Sequence, residues 1–567
     1  MYIEFNGYSF KYYTQKECTL NNIDLSISKG EKVVIVGASG SGKSTIAKCI
    51  NGLIPNLYRG EVSGTLRIDG KENIDQSVYS LSKKVGTVLQ DQDAQFVGLT
   101  VGEDIAFALE NDMVEYSEMH ERVSKIAELV DIQSHINSSP FEISGGQKQR
   151  TSLAGVLVDN VEILLFDEPL ANLDPKTGKT AIELIDQIHK ETGATVIIIE
   201  HRLEDVLHRP ADRIILVDDG RIIADMTPDK IMASSYLNEH GIREPLYLTA
   251  LKYAGVSVTE DLHAAYIDTL DINKVKDKVS AWYNAGTPPQ PESEQQVLLE
   301  VENVSFSYDG VHQALSGISF SVNAGEMIAI AGKNGAGKST IAKLICGFEP
   351  VDAGVIRYNG DDIKDLSIKE RAGLIGYVMQ NPNEMISETQ IFDEVALGLR
   401  NRGADEAEIK EKVTQALKIC GLSPFTGWPV SALSFGQKKR VTIASILTLD
   451  PKIIILDEPT AGQDYRHYTE IMDFLESLNK HGVTIILITH DMHLLLEYTT
   501  RTVAFADGRV IADDKSYKVL SNETIMDQAM LKKTSLYTLA DKAGIESPED
   551  FTRHFIEYER SKVRYEK

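Results

Sequence analysis

The chain has few cysteines, little positive charge and no long apolar run. Its 567 residues include four cysteines, none in a CxxC pair, so they lack the spacing of a zinc or iron–sulfur site. The low count is typical of a reducing compartment. The sequence contains no window of about 18 apolar residues, which is the length needed to cross a bilayer. The first residues, MYIEFNGYSFKYY, lack the pattern of a secretory signal. We therefore expect any membrane association to depend on another protein.

The charge balance also argues against one class of partner. Lys plus Arg is 58 and Asp plus Glu is 84, which gives a formal net charge of −26. Proteins that bind nucleic acid through phosphates need clustered basic residues, so we expect no nucleic acid partner. The hydrophobic content of 42% and charged content of 25% are ordinary for globular protein. The length predicts about three to four domains.

The sequence contains one set of motifs twice, in the same order and about 290 residues apart. GASGSGKST returns as GKNGAGKST, and VLQDQDAQF returns as VMQNPNEMI. ISGGQKQR returns as LSFGQKKR, LLFDEP as IILDEP, and IIIEH is matched by LITH. A shared order at a nearly constant offset indicates a duplicated unit.

Each unit is followed by a helical tail, because PLYLTALKYAGVSVTEDL resembles SLYTLADKAGIESPEDF. A segment with three prolines, AGTPPQPESEQQ, is too polar to build a core and marks the boundary. The predicted parts are a first domain over 1–235, its tail over 236–284, a linker over 285–296, a second domain over 297–522 and its tail over 523–567.

Short β-branched runs alternate with helical stretches in both units, which is typical of a parallel sheet buried on both faces. The predicted strands are Lys32–Val36, Ile163–Phe166 and Thr195–Ile199, and then Met327–Ile330, Ile453–Leu456 and Thr484–Ile488. The predicted fold class is therefore α/β, in two tandem domains that are each followed by a helical tail.

The pattern G-x-x-x-x-G-K-[ST] follows an apolar strand in both units. Its glycines let backbone N–H groups face phosphate oxygens at the positive end of a helix. We expect Lys43 and Lys338 to reach the β- and γ-phosphates of ATP, and Ser44 and Ser339 to bind Mg²⁺.

The strand that ends in Asp-Glu supplies the acids of a hydrolytic site. Asp167 and Asp457 are predicted beside the metal, usually through its water shell. Glu168 and Glu458 are predicted to orient a water for attack on the γ-phosphate. His201 and His490 follow β-branched runs, and the carboxyl end of a parallel strand is the ligand side of such a sheet. We predict that both sites hydrolyse ATP.

These motifs resemble the nucleotide-binding domains of the ATP-binding cassette (ABC) superfamily. ISGGQKQR and LSFGQKKR carry the resemblance, because other phosphate-loop families lack this signature just before the Asp-Glu strand. The resemblance covers both units. It implies that Gln90 and Gln380 contact Mg²⁺ and communicate with a membrane partner, and that Tyr12 and Tyr308 stack on adenine, with Tyr13 as a competing choice.

In this family each signature faces the γ-phosphate held by the other domain, so the resemblance implies an intramolecular head-to-tail domain pair with two ATP molecules. Phe435 stands where the second signature has a glycine in the consensus. The residues predicted to bind nucleotide, beyond those already named, are Gly37, Ala38, Ser39, Gly40, Ser41, Gly42, Thr45, Ser144, Gly145, Gly146, Gln147, Asp174, Gly332, Lys333, Asn334, Gly335, Ala336, Gly337, Thr340, Ser434, Gly436, Gln437 and Asp464.

Within the superfamily the chain looks most like the ATPases of energy-coupling factor (ECF) importers. NGLIPNLYRGEVSG, QNPNEM before IFDEVALGL, and the tail after each domain carry this likeness. It implies a transmembrane coupling protein and a membrane-embedded substrate-binding protein as partners, and a peripheral location on the cytoplasmic side of the cell membrane. Asp91, Asp93 and Glu384 are candidate acceptors for basic helices of the coupling protein.

Two other functions are compatible with tandem domains. A soluble ribosome-acting ABC ATPase would usually have a long charged linker and the sequence NHLD, whereas this chain reads ANLD and AGQD. A DNA-repair or chromosome-type ATPase would carry zinc modules or coiled coils between the phosphate loop and the signature, and this interval has neither.

Overall fold

The structure is a computed structural model, and it describes residues 1–90, 95–171, 173–286, 296–461 and 463–565, with side chains to residue 561. The described chain divides into two compact units, Met1–Ala281 with Asp464–Arg466, and Trp282–Gln463 with His467–Lys567. Most of the predicted linker and the candidate docking residues Asp91 and Asp93 lie outside the described residues.

The first unit contains two sheets. Its strands are β1 (Ile3–Tyr12), β2 (Leu20–Ile27), β3 (Lys32–Val36), β4 (Gly60–Ile68), β5 (Lys71–Glu72), β6 (Val85–Val88), β7 (Ile163–Asp167), β8 (Thr195–Ile199), β9 (Arg213–Asp218) and β10 (Arg221–Met226). One sheet has the order β2-β1-β4-β5 with antiparallel neighbours, and the other has the order β10-β9-β3-β8-β7-β6. In the second sheet all neighbours are parallel except the edge pair β10 and β9.

Helices of the first unit lie between these strands and continue into its tail. They are α1 (Lys43–Ile50), α2 (Leu53–Asn56), α3 (Val78–Ser82), α4 (Val101–Asn111), α5 (Tyr116–Leu129), α6 (Gly145–Leu157), α7 (Pro175–Thr192), α8 (Leu203–Val206), α9 (Pro228–Met232), α10 (Tyr236–Glu239), α11 (Leu246–Tyr253) and α12 (Lys276–Asn284).

The second unit repeats this plan. Its strands are β11 (Val297–Ser307), β12 (Gln313–Asn323), β13 (Met327–Gly332), β14 (Ala353–Tyr358), β15 (Asp361–Asp362), β16 (Ile375–Val378), β17 (Ile453–Asp457), β18 (Thr484–Ile488), β19 (Arg501–Ala506) and β20 (Arg509–Lys515). The sheet orders are β12-β11-β14-β15 and β16-β17-β18-β13-β19-β20, which correspond strand by strand to those of the first unit.

The second unit also ends in a helical tail. Its helices are α13 (Lys338–Cys346), α14 (Ile368–Arg371), α15 (Ile391–Arg402), α16 (Glu406–Ile419), α17 (Phe435–Leu447), α18 (Tyr465–Lys480), α19 (Met492–Glu497), α20 (Ser516–Val519), α21 (Glu523–Gln528), α22 (Ser535–Ala543) and α23 (Pro548–Tyr565).

The central strands form because their residues can be buried on both faces. All five residues of β3 and all five of β8 are buried, as are those of β17 and β18. Such uninterrupted Val and Ile runs belong to parallel strands that are covered on each side. The predicted α/β fold class is confirmed, and the six predicted strands occur within two residues of the predicted ends. The carboxyl ends of β3, β7 and β8 lie side by side, and this edge positions the candidate site.

Candidate functional site

The first phosphate loop connects β3 to α1 in a turn that only glycine permits at its start. A Cβ atom on Gly37 would lie 2.2 Å from the carbonyl oxygen of Val217 in β9. Lys43, the first residue of α1, is buried, and its Nζ donates hydrogen bonds to the carbonyls of Gly37 and Ala38, both at 2.8 Å. Burial lowers the pKa of Lys43, while nearby carboxylates, Glu168 first among them, oppose the shift. The ammonium group therefore lies inside the loop that should hold phosphate.

The second phosphate loop has the same geometry. A Cβ on Gly332 would lie 2.2 Å from the carbonyl oxygen of Phe505. Lys338 Nζ donates to the carbonyls of Gly332 and Lys333 at 2.7 and 2.9 Å. In both loops the second and third glycines have left-handed φ angles, between 77° and 106°, which glycine adopts without strain. The two loops therefore fold alike although their variable residues differ.

The predicted metal-binding residues of the first unit are paired in the structure. Ser44 Oγ donates to Oδ1 of Asp167 at 3.2 Å, at the end of β7. In the second unit Ser339 hydrogen-bonds Asp457, which also accepts a hydrogen bond from Tyr377 Oη at 2.9 Å. Burial raises the pKa of both aspartates.

The glutamate after each aspartate is held by the backbone. Glu168 and Glu458 have left-handed φ angles of 51° and 45°, and their N–H groups donate to the carbonyls of Ile199 and Ile488 at 2.9 and 2.8 Å. This conformation is unusual for a residue with a Cβ and is found at functional sites. Gln90 Nε2 donates to Glu168 Oε2 at 2.7 Å, which places a third predicted residue in the first site.

The two histidines contact their glutamates differently. His490 Nδ1 lies 2.6 Å from Glu458 Oε1 and forms a hydrogen bond. His201 Nδ1 lies 4.0 Å from Glu168 Oε1 but only 3.1 Å from Oε1 of Glu200. Sequence reasoning predicted that both sites hydrolyse ATP but missed Glu200, although IIIEH and LITH already differ at that position.

These contacts shift the pKa values of Glu168 and Glu458 in opposite directions. Burial and the neighbouring Glu200 raise the pKa of Glu168 to about 7. Burial also tends to raise the pKa of Glu458, but the charge and hydrogen bond of His490 outweigh it, and the pKa lies below its ordinary value. Burial lowers the pKa of His201.

Each signature begins a helix with a reciprocal cap. Ser144 Oγ accepts from the Gln147 N–H, and the Gln147 side chain accepts from the Ser144 N–H, at the start of α6. Ser434 and Gln437 do the same at the start of α17. Such capping boxes fix the N-terminus of the helix, where backbone N–H groups attract anions. Gly145, Gly146 and Gly436 lie in the first turns of these helices.

The second signature contains a buried cation that sequence reasoning also missed. Lys439 is 1% exposed, and its Nζ donates to the carbonyl oxygen of Glu458 at 2.9 Å. Burial lowers its pKa to about 8. The Phe435 ring centroid lies 5.8 Å from this Nζ, within cation–π range. In the first unit the same position is Gln149, whose Nε2 donates to the Pro169 carbonyl at 2.8 Å. Phe435 and Lys439, which contact each other, therefore replace Gly145 and Gln149 of the first unit.

The remaining predicted residues lie as follows. Tyr12 Oη is 3.5 Å from Thr45 Oγ1, and Tyr308 Oη is 3.3 Å from Thr340 Oγ1, so both rings reach the helix after the phosphate loop. Tyr13, the competing choice, is 69% exposed. Gln380 is exposed after β16, and Asp174 caps α7 by accepting from the Thr177 N–H at 2.9 Å. Asp464 is buried just before α18, and its Oδ2 accepts from the N–H of Ser39 in the first phosphate loop at 2.5 Å.

Two family models match parts of the chain. The family model described as "ABC transporter" matches residues 20–171 and 315–461. A second model, "ATP-binding cassette cobalt transporter", matches residues 234–306.

Relatives described as ABC transporter ATP-binding proteins match nearly the whole chain. The protein from Clostridium perfringens is 57% identical and covers 98% of each chain, and the one from Enterococcus faecalis is 55% identical and covers 99% of each. Among solved structures, cbiO1 from Clostridium perfringens, described as part of the complex cbiONQ, is 36% identical. It covers 41% of this chain and 94% of its own, with a TM-score of 0.38.

Proposed function

Because the chain belongs to the ATP-binding proteins of ABC transporters, whose cassettes are ATPases, we propose that it drives an ECF-type importer through separate membrane proteins. One observation carries the ATPase part of the proposal. In each unit a phosphate-loop lysine, a serine–aspartate pair, a backbone-fixed glutamate and a histidine gather at the carboxyl edge of one parallel sheet. Bound ATP would place its phosphates along this edge.

The proposed roles follow from the contacts. Lys43 and Lys338 exchange loop carbonyls for β- and γ-phosphate oxygens. Glu168 and Glu458 orient the attacking water, because each carboxylate is held at the end of its strand beside the site. His490 contacts the Glu458 carboxylate, and His201 lies 4.0 Å from that of Glu168. From these positions both histidines would hold the γ-phosphate.

The paired serine and aspartate fit Mg²⁺. This ion prefers one or two protein oxygens and completes its shell with phosphates and water. Ser44 with Asp167 and Ser339 with Asp457 offer that set, and we propose Gln90 and Gln380 as neighbours of the same ion. When bound, Mg²⁺ would neutralise phosphate charge. The described residues contain no cluster of three His, Cys, Asp or Glu side chains that would suggest another resident metal.

We further propose that the two signatures complete the two sites crosswise. Ser434 and Gly436 would face the γ-phosphate of the first site, and Ser144 and Gly146 that of the second. The capped helix starts support an anion-binding role. In purified protein, Glu168→Gln and Glu458→Gln should each lower ATP turnover, and the double variant should abolish it. A single variant with unchanged turnover would show that its site is not catalytic.

The importer part of the proposal concerns the partners. No helix in the described part of the chain has the length and apolar character to cross a bilayer. Leu89, Val97 and Leu99 are exposed on either side of the segment that begins at Gln90, and Leu99 is 82% accessible. Such side chains are typical of a docking surface. We propose that a transmembrane coupling protein binds here and at Glu384, and that a membrane-embedded binding protein selects the solute. The chain would then lie at the cytoplasmic face of the cell membrane.

The match over residues 234–306 to a model described for a cobalt transporter supports the ECF assignment. The test is to co-express the chain with candidate coupling proteins and to measure ATP turnover of the reconstituted complex. Solute uptake that requires both Glu168 and Glu458 would support the importer. Efflux, or turnover that never responds to a membrane partner, would contradict it.

A further inference from the structure

The residue directly before each site histidine differs between the two units. Glu200 follows β8 and precedes His201, whereas Thr489 follows β18 and precedes His490. Both side chains are fully buried. A buried carboxylate and a buried hydroxyl have different hydrogen-bonding capacities, because an ionised carboxylate only accepts, whereas a hydroxyl also donates.

Glu200 is anchored by backbone groups from two loops. Its Oε1 accepts from the N–H groups of His201 and Arg202 at 2.9 and 3.2 Å, and its Oε2 accepts from the Leu170 N–H at 3.3 Å. A buried carboxylate needs such partners to offset its lost hydration. Since Leu170 lies just after Glu168, the side chain joins the histidine turn to the loop of the proposed catalytic acid. The anchored Oε1 is also the oxygen 3.1 Å from His201 Nδ1.

Thr489, unlike Glu200, donates a hydrogen bond to the glutamate of its own site. Its Oγ1 donates to Glu458 Oε2 at 3.3 Å and accepts from the Asp491 N–H at 3.0 Å. Glu458 therefore receives hydrogen bonds from both Thr489 and His490. At the first site the equivalent side chain is a second carboxylate, and Glu168 lies 4.0 Å from the His201 ring nitrogen.

We propose that Glu200 is a positioning residue that holds the His201 ring away from Glu168 and makes the first ATP site the slower of the two. Glu200 Oε1 is the nearer carboxylate oxygen to the His201 ring nitrogen, 3.1 Å away against 4.0 Å for Glu168, so the ring is attracted toward Glu200 and away from Glu168. Two neighbouring carboxylates in a buried site also repel each other. The second site has neither effect. The proposal rests on the roles assigned above to Glu168 and His201.

The experiment isolates each site in the full-length chain. In the Glu458→Gln background only the first site turns over, and Glu200→Thr should raise its kcat by about threefold to tenfold, with little change in KM for ATP. In the Glu168→Gln background, Thr489→Glu should lower the kcat of the second site by a similar factor. A role of Glu200 in folding alone predicts a loss in the first experiment, so the direction of the change separates the two.

Glu200→Gln provides a second variant, because it keeps an acceptor for the backbone N–H groups and removes the charge. It should raise kcat less than Glu200→Thr does. If Glu200→Thr fails to fold, the direction in which Glu200→Gln and Thr489→Glu change kcat tests the proposal instead. Unchanged or lower first-site turnover in a folded variant overturns the proposal. Residual turnover in the Glu168→Gln and Glu458→Gln double variant overturns the assignment of the catalytic acids, and this inference with it.

Discussion

Lys439→Gln should stabilise the second unit at neutral pH. Lys439 is 1% exposed and its pKa is lowered to about 8, against an ordinary value near 10.5. A difference of about 2.5 pKa units corresponds to about 3 kcal/mol of unfavourable burial of the charged form. Gln149 shows that an amide fits the matching position of the first unit and bonds a backbone carbonyl there.

The net gain should be smaller than the burial term. Glutamine gives up the charge-assisted hydrogen bond to the Glu458 carbonyl and the contact with the Phe435 ring. Each of these contributes about 1 kcal/mol. We therefore expect a gain of about 1 kcal/mol, or about 2–4 °C in the melting temperature of a large domain.

The sign of the pH dependence follows from the lowered pKa. Below pH 8 both the folded and the unfolded chain carry the charge, so the full cost is present. Between about pH 8 and about pH 10.5 the unfolded chain binds more protons, and the stability of the natural protein rises with pH. The advantage of Lys439→Gln should therefore shrink across that window.

Differential scanning calorimetry at pH 7 and at pH 9.5 measures this change. Lys438→Gln is the matched control, because Lys438 lies next in the chain and its Nζ bonds Asn383 at the surface. It should change stability by less than about 0.5 kcal/mol. A Lys439→Gln protein that melts lower than the natural chain at pH 7 would refute the reasoning, as would a gain that is the same at both pH values.

Three further predictions follow from single contacts. Asp186→Asn should destabilise the first unit by about 3 kcal/mol in urea unfolding, because it removes the negative charge that pairs with the 2%-exposed Lys32 ammonium at 2.8 Å. Gly37→Ala should abolish binding of a fluorescent ATP analogue at the first site, because its Cβ would meet a backbone oxygen at 2.2 Å. Glu384→Lys should lower recovery of the membrane partner in co-purification, because it reverses the charge of the proposed acceptor.

Each of these predictions has a control. Glu476→Gln breaks an exposed ion pair of the second unit, with Lys480 at 3.2 Å, and should cost less than about 0.5 kcal/mol. Gly193→Ala places a Cβ in open space and should leave nucleotide binding intact. Asp361→Lys reverses an exposed charge on β15 and should leave co-purification unchanged. Equal effects in a variant and its control would contradict the corresponding mechanism.

The sequence was sufficient to predict the fold class and to indicate which residues would lie at the ends of the strands. The Val and Ile runs identify the central strands because a sheet covered on both faces leaves little other use for them. The duplicated motifs predicted which residues would gather at the strand ends, and Lys43, Ser44, Asp167 and Glu168 do so.

The differences between the sites could not be predicted in the same way. Glu200 and Thr489 occupy the same position of the repeated motif, directly before the histidine. The motif alone does not predict which carboxylate the histidine ring will lie closest to. From the sequence alone, Lys439 would be expected at the surface, because it lies in a basic signature. In the structure it is buried, with its Nζ bonded to the Glu458 carbonyl just after β17. Such effects depend on side-chain distances, such as 2.6 Å against 4.0 Å between histidine and glutamate, which spacing along a chain does not specify.

The most direct test of the central claim is affinity purification of the full chain from detergent-solubilised native membranes, followed by mass spectrometry. The account predicts recovery of a polytopic coupling protein and a small membrane-embedded binding protein, with ATP turnover that the double Glu168→Gln and Glu458→Gln variant lacks. Recovery of ribosomal proteins, with no membrane protein among the partners, would contradict it.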